Sequence, residues 1–331
     1  MPFIGDLFGS DSTTDRKQTA IFGELGYKFA GGWAVNAGLR RTKYTSEDNN
    51  QIVIFGSPSG QAGTNTETPT TPHASISYTT GRDTYYAQAS KGFRFGKLNF
   101  PIFSPGFPIP VFASSDSLWT YELGAKTSWL ANKVNLNVAV FQTKWDNPQL
   151  TLLTPSGLAY VDALGRLNPG AGVDSRGFEL ELVARPTSAL ELSAGLGYVD
   201  STFNRTVTGL DPTGAATPGG TRLVGIPKVT ANVNAKYHFR VAGAPAWVGG
   251  SVQHVDTYNS SYSTAPGVNR ELGGYTAVDL RAGLDFDAWS LTAFISNATN
   301  ERPYVLQQFF GAEAVGSIKP RTVGMNAVYR F

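Results

Sequence analysis

Val323-Gly324-Met325-Asn326-Ala327-Val328-Tyr329-Arg330-Phe331 closes the chain. Val323, Met325, Ala327, Tyr329 and Phe331 share one face of a strand, apolar and ending in two aromatics. Gly324, Asn326, Val328 and Arg330 share the other, which is mostly small or polar. An apolar face that meets an aromatic girdle at the strand end reads as a transmembrane β-strand. A soluble edge strand also alternates. What separates the two is that the pattern recurs along most of the chain.

Alternating runs and turn signals predict about 13 strands. They lie near 16–29, 33–44, 72–80, 84–95, 118–129, 133–153, 173–184, 189–203, 227–240, 246–258, 274–286, 289–303 and 320–331. The connections alternate in length. Residues 30–32, 81–83, 130–132, 185–188, 241–245 and 287–288 are short turns. Residues 45–71, 96–117, 154–172, 204–226, 259–273 and 304–319 are long. Short turns at one rim and long loops at the other mark an outer-membrane barrel. The expected fold is therefore all-β, an antiparallel transmembrane β-barrel meander.

Composition agrees. Charged residues are 16% of the 331 and aromatics 12%, against about 25% charged in soluble domains. No apolar run is long enough for a transmembrane helix. A net charge of +2 without a basic block argues against nucleic acid. Zero cysteines exclude disulfides and thiolate metal sites. Met1 to Phe8 lacks a positive region and an apolar core of signal-peptide length, so an export signal is not expected within the chain as given.

The faces of the inner strands follow the same parity. Trp119, Tyr121, Leu123, Leu180, Leu182, Val278 and Leu280 are expected to face lipid. Glu122, Lys126, Glu179, Glu181, Asp279 and Arg281 are expected to face the lumen, because a Lys or Arg on the lipid face costs about 2–4 kcal/mol at midplane. Aromatics gather beside the short turns, at Tyr27, Phe29, Trp33, Trp129, Tyr237, Phe239, Trp247, Phe286 and Trp289, as an interfacial girdle.

Several phrases resemble one family, in order along nearly the whole chain. They are Gln88 to Arg94; Tyr121 to Lys126; Val134 to Trp145 with Asp146-Asn147-Pro148-Gln149; Arg176 to Leu182; Leu192 to Tyr198; Asn297 to Tyr304; and Tyr329-Arg330-Phe331. Together they resemble the C-terminal part of a TonB-dependent outer-membrane receptor. The resemblance implies a piece of a 22-stranded parent: residues 1–15 as a partial extracellular loop, 16–331 as the C-terminal barrel, with the plug domain and TonB box absent. It implies residence in the outer membrane of a Gram-negative bacterium. It implies energy-coupled uptake of a scarce nutrient such as a ferric siderophore. The partners implied are outer-membrane lipid, a metal chelate or similar small ligand, and the TonB complex only through the N-terminal region. The terminal Tyr329 and Phe331 resemble the signal read by the barrel-assembly machinery.

Family lumen charges hold the plug, and the alternative is pairing across neighbouring strands. Ligand contact is expected from the long loops, at Phe103, Phe107, Phe112, Tyr160, Arg222, Tyr258, Tyr262, Gln307, Gln308, Phe309 and Phe310, because aromatics with a few polar groups suit an organic ligand. Loop aromatics that only pack the loops together are the plainer alternative. No catalytic constellation is present, no cofactor is implied, and His73, His238 and His254 lack metal-type spacing. Two other functions stay open: a self-contained porin-like channel of 12–14 strands, and a barrel-scaffolded enzyme or adhesin. A partial barrel should be an open, curved sheet or a strained closure between 16–29 and 320–331.

Overall fold

The computed structural model describes residues 8–54, 57–99, 106–265, 267–309 and 313–331. The strands, in chain order, begin with β1 (Phe8–Lys28), β2 (Trp33–Ile54), β3 (Ser57–Glu67), β4 (Thr70–Thr80), β5 (Asp83–Arg94), β6 (Asp116–Trp129) and β7 (Val134–Asp146). Then come β8 (Gln149–Leu153), β9 (Ala159–Ala163), β10 (Gly172–Thr187), β11 (Leu190–Phe203), β12 (Val229–Val241) and β13 (Ala244–Val255). The last are β14 (Tyr258–Asn259), β15 (Glu271–Leu272), β16 (Tyr275–Phe286), β17 (Trp289–Ser296), β18 (Tyr304–Phe309), β19 (Glu313–Ser317) and β20 (Thr322–Tyr329).

The main sheet runs β1-β2-β4-β5-β6-β7-β10-β11-β12-β13-β16-β17-β20, with β3 also on β2. Each strand of this path pairs antiparallel with its neighbour in the meander, as at β6–β7 and β17–β20. Among the described residues β1 and β20 do not pair, so the sheet is open. Both edge strands run the same way, toward the short-turn rim.

The short turns carry the strain that tight reversal demands. Leu130, Ala131 and Asn132 all have positive φ (52°, 56° and 69°), a region non-glycine residues rarely enter. At Gly32 a Cβ would come 2.1 Å from the Thr79 carbonyl oxygen. Only glycine allows that approach.

Register puts the predicted sets on opposite faces. Trp119, Tyr121 and Leu123 oppose Lys144, Gln142 and Val140, while Glu122 and Lys126 oppose Phe141 and Asn137. Leu180 and Leu182 oppose Leu196 and Ala194, and Glu179 and Glu181 oppose two glycines. Val278 and Leu280 share the first face; Asp279 and Arg281 share the second. Leu25, Leu123 and Met325 are 84%, 59% and 72% exposed. A contiguous apolar face this bare belongs against lipid or another apolar surface.

Several boundaries differ from the sequence reading. The first strand begins at Phe8, so residues 8–15 are paired strand. Residues 45–54 continue β2, and β3 pairs back along them. The span 133–153 breaks after Asp146, where Asn147 has φ +55° and Pro148 follows. The span 289–303 ends at Ser296 for the same reason, with φ +50° at Asn297. The long connections are themselves ordered, as the hairpins β8–β9, β14–β15 and β18–β19.

Buried side chains concentrate beyond the sheet. Leu152, Tyr160, Leu164, Val173, Phe203, Val207, Leu210 and Leu223 form one cluster, and Phe107, Trp145, Leu167, Ile226 and Tyr262 pack on it. Val173, Phe203 and Trp145 lie at the long-loop ends of their strands on the charged parity. The loops thus close over the charged face of the sheet, not its apolar face.

Candidate functional site

Two regions could carry function: the charged sheet face and the loop cluster above it. On the sheet, the Tyr86 hydroxyl and the Gln88 amide donate to Glu122 Oε1 at 2.7 and 3.1 Å. Lys126 Nζ stands 6.0 Å from the Tyr86 ring. Asn137 donates to Glu181 at 3.3 Å. Asp279 accepts the Asn297 backbone N–H at 2.8 Å and lies 3.8 Å from Arg281. Cross-strand pairing therefore accounts for part of what these six residues do, and they remain on one continuous face.

Toward the short-turn end this face holds a cavity of about 370 Å³, lined in part by Arg185, Glu191, Lys236, Trp247, Asp279 and Arg281. Glu191 lies 3.7 Å from Arg185 and 3.5 Å from His238. Lys236 Nζ sits 4.4 Å above the Trp247 ring. Mixed charge on strand backbones suits water or a polar protein segment. A larger open depression of about 960 Å³ runs along β1–β7 and is lined mainly by residues such as Leu25, Tyr27, Ile76, Tyr121, Leu123 and Val140. These belong to the apolar face.

The loop cluster gathers three of the predicted contact residues, Phe107, Tyr160 and Tyr262, with Arg222 beside it. Phe107 and Tyr160 have ring centroids 5.7 Å apart, and Tyr262 lies 5.4 Å from Phe203. Arg222 donates to the Ile226 carbonyl and lies 3.9 Å from Asp200. Tyr160 is only 4% exposed. Burial pushes its phenol above the ordinary value, and Asp162 adds to this. These side chains pack loop on loop. Phe112 also packs inward, against Gly63 of β3.

Tyr258 and Gln307 lie elsewhere, on the loops around β14 and β18. The Tyr258 hydroxyl donates to the Val305 carbonyl at 3.1 Å, and Ser260 donates to Gln307. Gln308 and Phe309 are on β18. Phe103 and Phe310 lie outside the described residues. Tyr329 sits in the girdle against Trp289, with centroids 5.0 Å apart, and Phe331 is fully exposed.

The sequence reading missed the polar pins of this cap. Asp116 is buried and accepts from Arg94 Nε and from the Gln149 backbone N–H at 2.7 Å. The Arg94 guanidinium also lies 4.7 Å above the Trp145 ring. Asp162 is fully buried, accepts the Ser114 and Ala163 N–H groups, and meets Arg166 at 3.3 Å. Asn99 ties β9 to the preceding loop through Val161 N–H at 2.8 Å. Asp211 accepts from Thr213 and from Thr264 of the next loop. Arg94 and Gln149 had a signal, inside the phrases Gln88 to Arg94 and Asp146 to Gln149.

Among the described residues no three His, Asp or Glu side chains are grouped to hold a metal. His73 faces Glu24 at 3.7 Å, His238 faces Glu191, and His254 bonds Thr276 at 2.9 Å, on three separate parts of the sheet.

The fold resembles solved receptors. The ferric yersiniabactin uptake receptor FyuA from Yersinia pestis superposes with a TM-score of 0.78 at 17% identity, over 98% of this chain and 47% of that one. The ferric-catecholate import receptor Fiu from E. coli K12 gives 0.75 at 15%, over 97% and 45%. The siderophore receptor PiuA from Acinetobacter baumannii gives 0.73 at 18%, over 96% and 43%. The chain spans less than half the length of each. The family description TonB dependent receptor-like, beta-barrel, matches residues 2–298, and the chain belongs to that family.

Proposed function

We propose that this chain forms the C-terminal wall of an outer-membrane receptor that takes up a scarce nutrient as a metal chelate, such as a ferric siderophore. The observation that carries the reading is the arrangement of faces. An apolar face stands bare, a charged face backs it, and ordered loops close over the charged side at one rim. Lipid takes the first. A polar plug supplied by the remainder of the receptor takes the second, with Glu122, Lys126, Glu179, Glu181, Asp279 and Arg281 as its contacts. Such a plug would also bring the TonB-binding segment. The chain carries no catalysis in this account.

A self-contained passive channel is disfavoured by the two edges, β1 and β20, that have no partner strand among the described residues. In lipid each unsatisfied backbone group costs several kcal/mol. Because β1 and β20 run the same way, antiparallel closure needs an odd number of further strands.

The test is expression behind a cleavable leader in a receptor-deleted strain. The chain should fractionate with the outer membrane and should not, alone, restore energy-dependent growth on ferric chelates. Solute leakage scaling with molecular size would instead support a passive channel. Restored energy-dependent uptake would show that the chain is sufficient as a transporter.

A further inference from the structure

On β6, Trp119 and Trp129 lie ten residues apart on the apolar face. At about 3.3 Å per residue and a tilt of about 35–45°, their separation along the membrane normal is about 23–27 Å. That matches the apolar band of a barrel, about 25 Å tall. Trp129 stands at the short-turn girdle, so Trp119 marks the opposite boundary. Tyr121 stacks under it at 6.0 Å, and Leu123 continues the face downward.

In register, Trp119 stands directly between two lysines, Lys91 on β5 and Lys144 on β7. Arg176 lies one step nearer the midplane, across from Gln142. None of the three cations makes an ion pair among the described residues. Three carboxylates share the neighbourhood, against the three cations and the Lys228 and Arg222 that engage one of them. Asp146 stands two residues from Lys144 on the same face of β7. Asp174 faces Lys144 across β10. Asp200 faces Arg176 but is engaged by Lys228 at 3.5 Å and Arg222 at 3.9 Å. The patch is therefore net positive, and it sits where the hydrocarbon ends. Cations on a lipid-facing strand are tolerated at that depth because they reach the headgroups.

Resting on the membrane-spanning reading above, we propose that Lys91, Trp119 and Lys144 dock the phosphate headgroup of an anionic lipid in the leaflet on the long-loop side. Tyr121 and Leu123 form the bed for its acyl chain. The two ammonium groups supply charge, the indole supplies the interfacial contact, and the face below is already apolar. Free phosphate would use only the first of these three features.

The test places the full chain in phosphatidylcholine vesicles and doses in brominated phosphatidic acid or brominated phosphatidylcholine. Trp119 fluorescence is isolated by subtracting the W119F variant. Quenching should favour the anionic lipid about five-fold or more, since each cation near a membrane surface contributes about that factor. The K91Q/K144Q variant should bring the ratio close to one. Equal quenching by both lipids in the wild type would overturn the proposal, as would a preference unchanged in the double variant. Absence of quenching at every tryptophan would instead show that the chain does not insert, and would overturn the membrane reading itself.

Discussion

Arg94 lies over Asp116 where β5 and β6 reach the loop rim, with Nε 3.2 and 3.1 Å from the two carboxylate oxygens. Asp116 is buried, whereas half of the Arg94 side chain is exposed. The partners are therefore unequal. R94A leaves a buried carboxylate with the Gln149 N–H but without its cation, at about 1–3 kcal/mol. D116N leaves a guanidinium that water can reach and should cost less. Protease protection of the 147–171 loop should fall in the order wild type, D116N, R94A.

The loop cap has its own core. Phe203 is 1% exposed within it. F203A should destabilise the cap by about 3–5 kcal/mol while leaving the sheet folded. The check is a lower midpoint for loop proteolysis, with the β-sheet circular dichroism of the chain kept.

Asp211 couples two loops. Burial pushes its carboxyl up, but hydrogen bonds from Thr213, Thr264 and Ser263 outweigh this and hold it below the ordinary carboxylate value. A depressed folded value contributes stability above the unfolded pKa of about 3.9 and loses it as pH falls through the folded value. The thermal midpoint of the loop transition should be flat near neutrality and drop below about pH 4. D211N should start lower and lose that acid-dependent drop.

Leu123 lies between Trp119 and Trp129 on the apolar face and is 59% exposed. L123R should cost about 2–4 kcal/mol in a bilayer, read as a lower urea midpoint of the vesicle-inserted chain. E122Q, one residue away on the other face, should change that midpoint by much less.

The sheet was legible because a period of two survives in a single strand. Val323 to Phe331 shows it unaided, and β6 shows it with charges. The extension 45–67 lies within a stretch expected to be a long connection, and it is rich in residues of turn type, among them Ser46, Asn49, Asn50 and Gln61. In the structure they lie in a hairpin whose pairing supplies what their side chains do not. The strand ends at Asn147 and Asn297 had a local signal, Asn147-Pro148 and the polar stretch Ser296-Asn297-Ala298-Thr299-Asn300, but the alternation that resumes beyond each carried the expected strand past it. The pins were illegible for a different reason. Asp162 and Ser114 are 48 positions apart, and Asn99 and Val161 are 62 apart. No local pattern records such contacts. Phe107, Tyr160 and Tyr262 lie beyond the main sheet, where the structure makes them packing between loops.

The central claim is that these strands span a bilayer with Glu122 and its row turned from lipid. The chain has no cysteine, so each cysteine placed along 118–126 is a unique label. Nitroxides at those positions, in vesicles, report collision with oxygen and with a water-soluble nickel chelate. The account predicts oxygen maxima at 119, 121, 123 and 125, and nickel maxima at 120, 122, 124 and 126. Two curves without a period of two, or with the phases exchanged, would contradict it.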